Sequence, residues 1–289
     1  MKDIYITKSN GQREIFNPDK LEQSLLNSGA EVNVAKGVVE HIARELEDGM
    51  STSMIYDHAF YLLGKKIKPA AARYSLRRAL GELGPSGFPF EKFMASVFKM
   101  YGYESDNNHF VKGHCAEHEI DLVAWNENKL IMAEAKFHNQ IGLKSDLKVA
   151  LYVKARADDL KNIDFSYGKK RKLDEFWLIT NTKFTDRAIS YARCAGLRLM
   201  GWNYPREHNL HDFIEDVGLH PITCLNSISQ VEKRTLIESG VVLCKDAMDA
   251  SKLVNLGFSE QSIKIISEEA RQVCSQEQTH QNNIKQNAF

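Results

Sequence analysis

The sequence predicts a multidomain protein of the α+β and α/β classes, and three residue patterns support that fold class. Asn10-Gly11 stands between two short apolar-alternating runs, a pattern typical of a β-hairpin. Apolar residues recur at helical spacing from 90 to 101, and apolar runs at 119–125 and 130–136 indicate neighbouring strands. We therefore expect a mostly helical N-terminal region with a hairpin, a central α/β core with a mixed sheet, and a C-terminal helical region.

The N-terminal region, 1–84, is predicted to contain the hairpin followed by four helices. Asn17 and Pro18 place a capping oxygen and a proline at the positions that helix starts favour. The predicted elements are strands at 4–7 and 13–16 and helices at about 18–29, 32–47, 52–65 and 69–81. The Gly- and Pro-rich segment 84–89 then predicts a hinge between domains.

The central region, 85–215, is predicted to follow the order α-β-β-α-β-α-β. Its predicted elements are a helix at about 90–101, strands at 119–125 and 130–136 joined by a turn at 126–128, a helix at about 144–160, a strand at 176–180, a helix at about 185–194, and a strand at 197–201. In the next region, 216–274, the helical patterns favour a helical cap or an oligomer contact over paired DNA-binding hairpins. The segment 275–289 is rich in Gln and Asn and is expected to be disordered.

The composition limits the class of protein. The 289 residues carry 38 acidic and 38 basic side chains, which argues against a uniformly basic DNA-coating protein but allows a local basic patch. No apolar run reaches membrane-spanning length and the N-terminus lacks a secretory signal, so a cytoplasmic protein without membrane contact is expected. The five cysteines are never spaced as C-x-x-C, which predicts reduced thiols and neither a disulfide framework nor a zinc ribbon.

Three charged residues of the strand pair suggest a metal centre. Asp121 and Glu134 can meet across the two strands, and Lys136 shares a face with Glu134 because residues two apart in a strand point the same way. Mg²⁺, or Mn²⁺, takes oxygen ligands, so the two carboxylates and the Ala135 carbonyl are predicted to bind it. Lys136 is predicted to polarise an attacking water and to balance charge on phosphorus. The same triplet also fits the solvated face of an exposed strand pair.

The order of elements, together with Glu91, Asp121 and Glu134-Ala-Lys136, resembles the Mrr-type branch of the restriction-endonuclease-like PD-(D/E)xK nucleases. The segment 180–188, Thr-Asn-Thr-Lys-Phe-Thr-Asp-Arg-Ala, is similar to a later motif of that branch. The resemblance covers about 88–215 and implies a Mg²⁺-dependent endonuclease whose catalytic residues are Glu91, Asp121, Glu134 and Lys136. The residues just before Asp121 depart from the family pattern, which leaves a part for His118 or Glu119 open.

A basic run follows the triplet. Between 136 and 172 there are ten Lys or Arg against four Asp, and the run ends in four consecutive cations at 169–172. Such a run can be the solvated face of a helix, but beside a phosphate-cleaving centre contact with a nucleic-acid backbone is favoured. The residues predicted to contact DNA are His138, Asn139, Lys144, Lys148 and Lys154.

The N-terminal region resembles an ATP-cone, the regulatory nucleotide-binding module of ribonucleotide reductases. The matching segments are 6–11, 14–17, 19–21, 49–55 and 74–78. The resemblance implies phosphate contacts from Lys8, Lys20 and the Arg77-Arg78 pair. The full set of implied nucleotide-binding residues is Lys8, Ser9, Glu14, Phe16, Asn17, Lys20, Ile55, Arg77 and Arg78. Ser9 stands where the family usually has a second cation, so weaker triphosphate binding or a change in the number of bound nucleotides is expected. No Walker motif is present, so ATP or dATP is expected to be sensed and not hydrolysed.

The two resemblances together predict a Mg²⁺-dependent DNA endonuclease that ATP or dATP regulates. Changes in a homo-oligomer can carry that regulation, and defence against foreign DNA is a suitable setting. A different class of function is a nucleotide-sensing DNA-binding regulator whose nuclease fold is inactive. RNA or modified DNA also remains open as the substrate, because a metal centre contacts the phosphate and not the base.

Overall fold

A computed structural model of the chain describes residues 4–8, 11–140 and 142–274. Those residues form eleven α-helices and a mixed five-stranded sheet, with shorter strand pairs around it. Ser9, Asn10 and the predicted disordered segment 275–289 lie outside the described residues. No helix in the described part of the chain has both the length and the apolar character needed to cross a bilayer.

The N-terminal elements agree closely with those predicted. They are β1 (Tyr5–Thr7), β2 (Arg13–Ile15), α1 (Pro18–Asn27), α2 (Val32–Glu45), α3 (Thr52–Lys66) and α4 (Lys68–Gly81). The two strands pair antiparallel. The Asn17 side chain accepts a hydrogen bond from the Lys20 N–H at 3.1 Å, and Pro18 lies in the first turn, so the predicted cap is confirmed. Leu25, Ala59 and Leu63 are completely buried in the core of these helices.

The central region contains the five-stranded sheet and the elements packed around it. They are α5 (Phe88–Met100), β3 (Glu104–Lys112), β4 (Glu117–Trp125), β5 (Leu130–Lys136), β6 (Lys144–Ser145), α6 (Leu147–Leu160), β7 (Phe165–Tyr167), β8 (Lys169–Arg171), β9 (Glu175–Thr180), β10 (Lys183–Phe184), α7 (Asp186–Ala195) and β11 (Arg198–Met200). The strand order is β11-β9-β5-β4-β3, antiparallel from β3 to β5 and parallel from β5 to β11. Apolar clusters cover both faces of the sheet.

Besides the short strands β7, β8 and β10, two features of the central region differ from the prediction. The sheet has an additional edge strand, β3, whose polar run Glu104-Ser-Asp-Asn-Asn-His109 carries residue types that strands usually avoid. The helix predicted from Lys144 begins only at Leu147, because Lys144 and Ser145 pair with β10 and the Asp146 side chain caps the helix.

The C-terminal region is helical, as predicted. It comprises α8 (Leu210–Glu215), α9 (Gln230–Glu238), α10 (Ala250–Asn255), α11 (Glu260–Cys274) and two 3-10 helices at Ile222–Cys224 and Cys244–Met248. It packs on α4 of the N-terminal region, where the Thr223 hydroxyl donates to the Ala79 carbonyl oxygen at 2.6 Å. Lys233 forms an ion pair with Glu82 at 3.2 Å. This region therefore caps both of the regions before it.

The segment 84–89, which was expected to be a hinge, connects two parts of one core. Residues 84–87 are non-helical, but the flanking Leu83 and Phe90 are both completely buried. A single apolar cluster contains Leu80 of α4, Trp177 of the sheet and Leu243 of the C-terminal region. The break in the sequence pattern marks the end of a helix, and the hydrophobic core continues across it.

Candidate active site

The pairing of β4 with β5 brings the two predicted metal-binding carboxylates together. The antiparallel pairing ends at Leu122 and Ala133, and Asp121 and Glu134 are the next residues beyond that last pair. Lys136 is two residues beyond Glu134 and shares its side of the strand, with its side chain exposed at the strand end. The structure therefore brings Asp121, Glu134 and Lys136 together.

Asp121 is held by the backbone of the neighbouring strand. Its Oδ2 atom accepts a hydrogen bond from the Ala135 N–H at 2.7 Å. Burial raises the pKa of Asp121 above its usual range, and this hydrogen bond acts in the opposite direction. Ala135 therefore reaches Asp121 through its N–H, while coordination by its carbonyl oxygen stays a prediction.

Glu91 joins this cluster from the first turn of α5. Burial, and after it the charges of Asp121, Glu119 and Glu134, together raise its pKa to about 7. The pKa of Glu134 is also raised to about 7; burial is the largest cause, and the charge of Asp121 is the second. Half-buried carboxylates that repel each other are costly unless they are protonated or bind a cation, so their surroundings suit a divalent metal ion.

The structure places His118 and Glu119, whose part in the site was left open, in different surroundings. Glu119 is two residues before Asp121 and acts electrostatically on Glu91, Asp121 and Glu134, so it lies at the edge of the carboxylate cluster. His118 points the other way, and its Nε2 lies 2.7 Å from Asp159 Oδ2. That carboxylate also accepts hydrogen bonds from the Cys115 and Ala116 N–H groups, so His118 helps to fix the turn before β4.

Arg156 is a member of the site that the sequence did not reveal. From α6, its Nη1 atom donates to the Glu134 carboxylate and, at 2.7 Å, to the Glu119 carbonyl oxygen. Its Nη2 contacts the Tyr152 hydroxyl one helical turn earlier, and the guanidinium lies 4.8 Å from the centre of that ring. Its side chain is only 10% exposed. In the sequence, Arg156 appears as one more cation of the basic run.

The unpredicted strand β3 also contributes to the site. The Asn107 side-chain N–H donates to the Asp121 carbonyl oxygen at 2.9 Å. Asn107 pairs with Leu122 and His109 with Ile120, so Asn108 is the residue beside Asp121. Its φ of 55° lies in the left-handed region, which Asn tolerates better than most residues. The backbone of β3 is thus distorted next to the carboxylates.

The residues predicted to contact DNA fall into two groups. His138 is half-buried, with its N–H bonded to Asn181 at 2.9 Å and its ring 3.1 Å from the Ser145 hydroxyl, and burial lowers its pKa. Lys154 pairs with Asp158 on α6. The exposed side chains are Asn139, Lys144 and Lys148. The structure therefore leaves Asn139, Lys144 and Lys148 open to solvent, whereas His138 and Lys154 are engaged within the protein.

The predicted nucleotide-binding residues are brought together only in part. Glu14 lies between Lys8 at 2.6 Å and Lys20 at 3.8 Å, and the hydrogen bond from Lys8 lowers the pKa of Glu14. Arg78 instead pairs with Asp57 and Glu82. The remaining predicted residues take up structural positions: Phe16 packs on the N-terminal core, Ile55 is buried within it, and Asn17 caps α1. Ser9 lies outside the described residues.

A cavity of about 550 Å³ lies where the N-terminal helices meet the residues after β11. Lys20, Tyr56 and Arg77 line one side, and Trp202 and His211 line the other. The Arg77 guanidinium is 6.0 Å from the centre of the Trp202 ring. Among the described residues the buried Tyr56 hydroxyl has no hydrogen-bond partner. The cavity lining thus combines cations and aromatic rings.

Cations from both regions also approach one another near this cavity. Burial lowers the pKa of Lys183, and the charges of Arg77, Lys144 and Lys8 lower it further. Lys183 and Lys144 are register partners in the β6–β10 pair. A positively charged surface therefore extends from the N-terminal region to the strands beyond Lys136.

Comparison with known proteins gives three matches. Residues 220–274 match the family model described as AF1548-like, C-terminal. An Archaeoglobus fulgidus protein described as uncharacterized is 36% identical over 182 residues, covering 62% of this chain and 99% of that protein. The crystal structure described as the protein of unknown function AF1548 is 33% identical with a TM-score of 0.54, covering 66% of this chain and 99% of that chain. More than a third of this chain has no counterpart in the A. fulgidus protein.

Proposed function

The chain belongs to the AF1548-like family, and for this member we propose metal-dependent hydrolysis of phosphodiester bonds in DNA. The observation that carries the proposal is the convergence of Glu91, Asp121 and Glu134 with Lys136 beyond them, built by α5, β4 and β5. Carboxylates whose pKa values are raised by burial and mutual repulsion are more typical of functional sites than of solvated strand faces. The alternative of an exposed strand pair is therefore disfavoured.

The residues present fit a Mg²⁺ or Mn²⁺ ion. Asp121 and Glu134 would hold it, because hard divalent cations prefer carboxylate oxygens and commonly take one or two from the protein. Such an ion supplies Lewis-acid polarisation of a phosphate and activation of water. Binding a cation would also offset the repulsion among Glu91, Glu119 and the two ligands.

Other side chains of the protein would supply the rest of the chemistry and the contacts with the nucleic acid. The Lys136 ammonium can orient the attacking water and offset negative charge that grows on the phosphate. Glu91 has a pKa of about 7, so its carboxyl group can hold or release a proton near neutral pH. Asn139, Lys144 and Lys148 are exposed and can contact the nucleic-acid backbone beside the site.

We also propose that ATP or dATP regulates the activity from the cavity between Lys20 and Trp202. Lysine and arginine suit phosphate groups, and aromatic rings suit a base. The Arg77 guanidinium lies 6.0 Å from the centre of the Trp202 ring, so a cation and an aromatic ring stand close together in the cavity lining. Since both regions line the cavity, a bound nucleotide would contact residues on each side of the interface and can change their packing or subunit association.

A cleavage assay tests the nuclease proposal. Supercoiled and linear DNA would be incubated with the purified full chain in Mg²⁺ or Mn²⁺, with and without ATP and dATP. Lys136→Ala should abolish cutting, whereas Lys112→Ala, at an exposed lysine that ends the edge strand β3, should not change the rate. DNA binding without cutting in every condition would favour the nucleotide-sensing regulator instead. Equal rates with and without nucleotide would remove the regulatory part alone.

A further inference from the structure

Three potential metal-binding side chains meet on the surface of the N-terminal region, away from the carboxylate cluster. His41 and Glu45 are one turn apart on α2, and His58 reaches them from α3. His41 Nε2 lies 3.2 Å from Glu45 Oε1, and His58 Nδ1 lies 3.4 Å from Glu45 Oε2. One carboxylate therefore bridges two imidazoles from different helices.

The three ligand atoms converge closely enough to share one ion. All lie within 4.8 Å of one another, and the two imidazole ring centres are 5.2 Å apart in an edge-to-face arrangement. Histidine and glutamate four residues apart on a helix project from the same face, so both can bind one ion without a change in the backbone. The side chain of His58 completes a set of three ligands.

The donor set indicates the class of ion. Two imidazole nitrogens and one carboxylate oxygen match the ligands of Zn²⁺, and imidazole also suits Cu²⁺, Ni²⁺ and Co²⁺. Mg²⁺ prefers sites made of oxygen atoms, like the one formed by Asp121 and Glu134. We propose that His41, Glu45 and His58 form a binding site for a zinc-class transition-metal ion, separate from the carboxylate cluster.

The exposure of the site is consistent with an ion that keeps solvent ligands. The side chains of His41, Glu45 and His58 are 38%, 53% and 32% exposed, so water can approach from outside and fill a fourth position. The ion would link α2 to α3. Because the unfolded chain does not hold these ligands together, binding would stabilise the folded N-terminal region.

The experiment is a zinc titration of the full chain against a chromophoric chelator, with excess Mg²⁺ present to occupy the carboxylate cluster. His41→Ala and His58→Ala should each weaken zinc binding by at least ~10-fold, since even indirect contacts at metal sites are worth that much. The matched control is His109→Ala. His109 also pairs with a carboxylate, Asp106 at 3.0 Å, and its side chain is 30% exposed, but it lies on the edge strand β3.

Two further measurements keep the result interpretable. Glu45→Gln retains the size of the side chain and should also weaken zinc binding, while circular dichroism without metal verifies that each variant is folded. Zinc should raise the melting temperature of the unaltered chain and of His109→Ala, but not of the His41 or His58 variants. Zinc binding that survives either histidine substitution, or no binding by the unaltered chain, would overturn the proposal and leave these residues as an ion-pair cluster.

Discussion

Arg156 donates a hydrogen bond to the carboxylate of Glu134, one of the two proposed metal ligands. The same nitrogen donates to the Glu119 carbonyl oxygen at 2.7 Å, so the guanidinium is held at the carboxylate cluster from two sides. The positive charge of the guanidinium offsets the negative charge of Glu134 and repels a second cation nearby. Arg156 would therefore compete with a metal ion bound at the proposed site, and it also stabilises the cluster.

Replacing Arg156 should strengthen metal binding. In Arg156→Met the side chain still fills its place on α6 but carries no charge, so repulsion of a divalent ion falls. We expect the affinity for Mn²⁺ to rise about tenfold, which corresponds to ~1.4 kcal/mol. Mn²⁺ titration followed by electron paramagnetic resonance measures it. Arg193→Met is the control, because Arg193 also contacts a tyrosine hydroxyl, that of Tyr204 at 3.2 Å. Unchanged or weaker binding in Arg156→Met would contradict this role.

Glu91 should make stability depend on pH. Its pKa is raised from 4.5 to about 7 in the folded protein, so between these values the folded state binds more protons than the unfolded state. Stability therefore falls as pH rises through this window. Glu91→Gln should melt at a higher temperature than the unaltered chain at pH 8 without metal, by roughly 2–4 °C for each kcal/mol relieved, and at the same temperature near pH 4.5.

Scanning fluorimetry in a chelating buffer at both pH values measures the effect of Glu91→Gln. The control is Glu104→Gln, an exposed glutamate on β3. A melting temperature that responds equally to the two substitutions at pH 8 would mean that repulsion at the carboxylate cluster has no part in stability.

Asn108 should be sensitive to the shape of its replacement. Its φ of 55° suits Gly and Asn, whereas a β-branched side chain in this conformation is strained. Asn108→Gly should leave the free energy of unfolding nearly unchanged, and Asn108→Val should lower it by about 1–2 kcal/mol. Urea unfolding measures both. Phe110→Val on the same strand is the control, since Phe110 is 67% exposed. Equal stability of the Val and Gly variants at 108 would show that β3 relaxes there.

Tyr56→Phe separates a nucleotide ligand from a structural role. Removing a buried hydroxyl that has no partner among the described residues should leave the stability of the free protein unchanged or higher. If a nucleotide bonds to that hydroxyl, the same change should reduce the rise in melting temperature that ATP produces. Tyr61→Phe, at an exposed tyrosine of α3, should alter neither quantity. An ATP effect of full size in Tyr56→Phe would show that the nucleotide makes no bond to that hydroxyl.

The sequence predicted the centre of the site because it depends on local periodicity. The pairing of two adjacent strands brings Asp121 and Glu134 together just beyond the pair of Leu122 with Ala133, and alternation along β5 places Lys136 on the side of Glu134. The strand β3 was missed because its Asp and Asn residues pair at a sheet edge where side chains remain solvated. Arg156 was missed as a member of the site because its contact with Glu134 depends on how α6 packs across the sheet, which no spacing in the sequence encodes.

The N-terminal prediction shows a similar limit. The hairpin and four helices follow from turn, cap and spacing signals, and the structure contains them. Ile55 and Arg78 were expected near a nucleotide, but one is 6% exposed in the core and the other pairs with Asp57. Resemblance assigns residues by position in a motif, whereas the direction of each side chain depends on its neighbours in this chain. Trp202 and His211, which line the cavity, lie far from that motif.

The helix α4 belongs to two hydrophobic cores at once. Ala70 and Ala71 near its start pack with the N-terminal helices, whereas Leu76 and Leu80 near its end pack with the sheet and the C-terminal region. Melting of the N-terminal helices would withdraw those leucines from the centre of the larger core. The two regions therefore cannot lose their structure independently, and a ligand that stabilises the smaller one adds cooperativity to the unfolding of the whole chain.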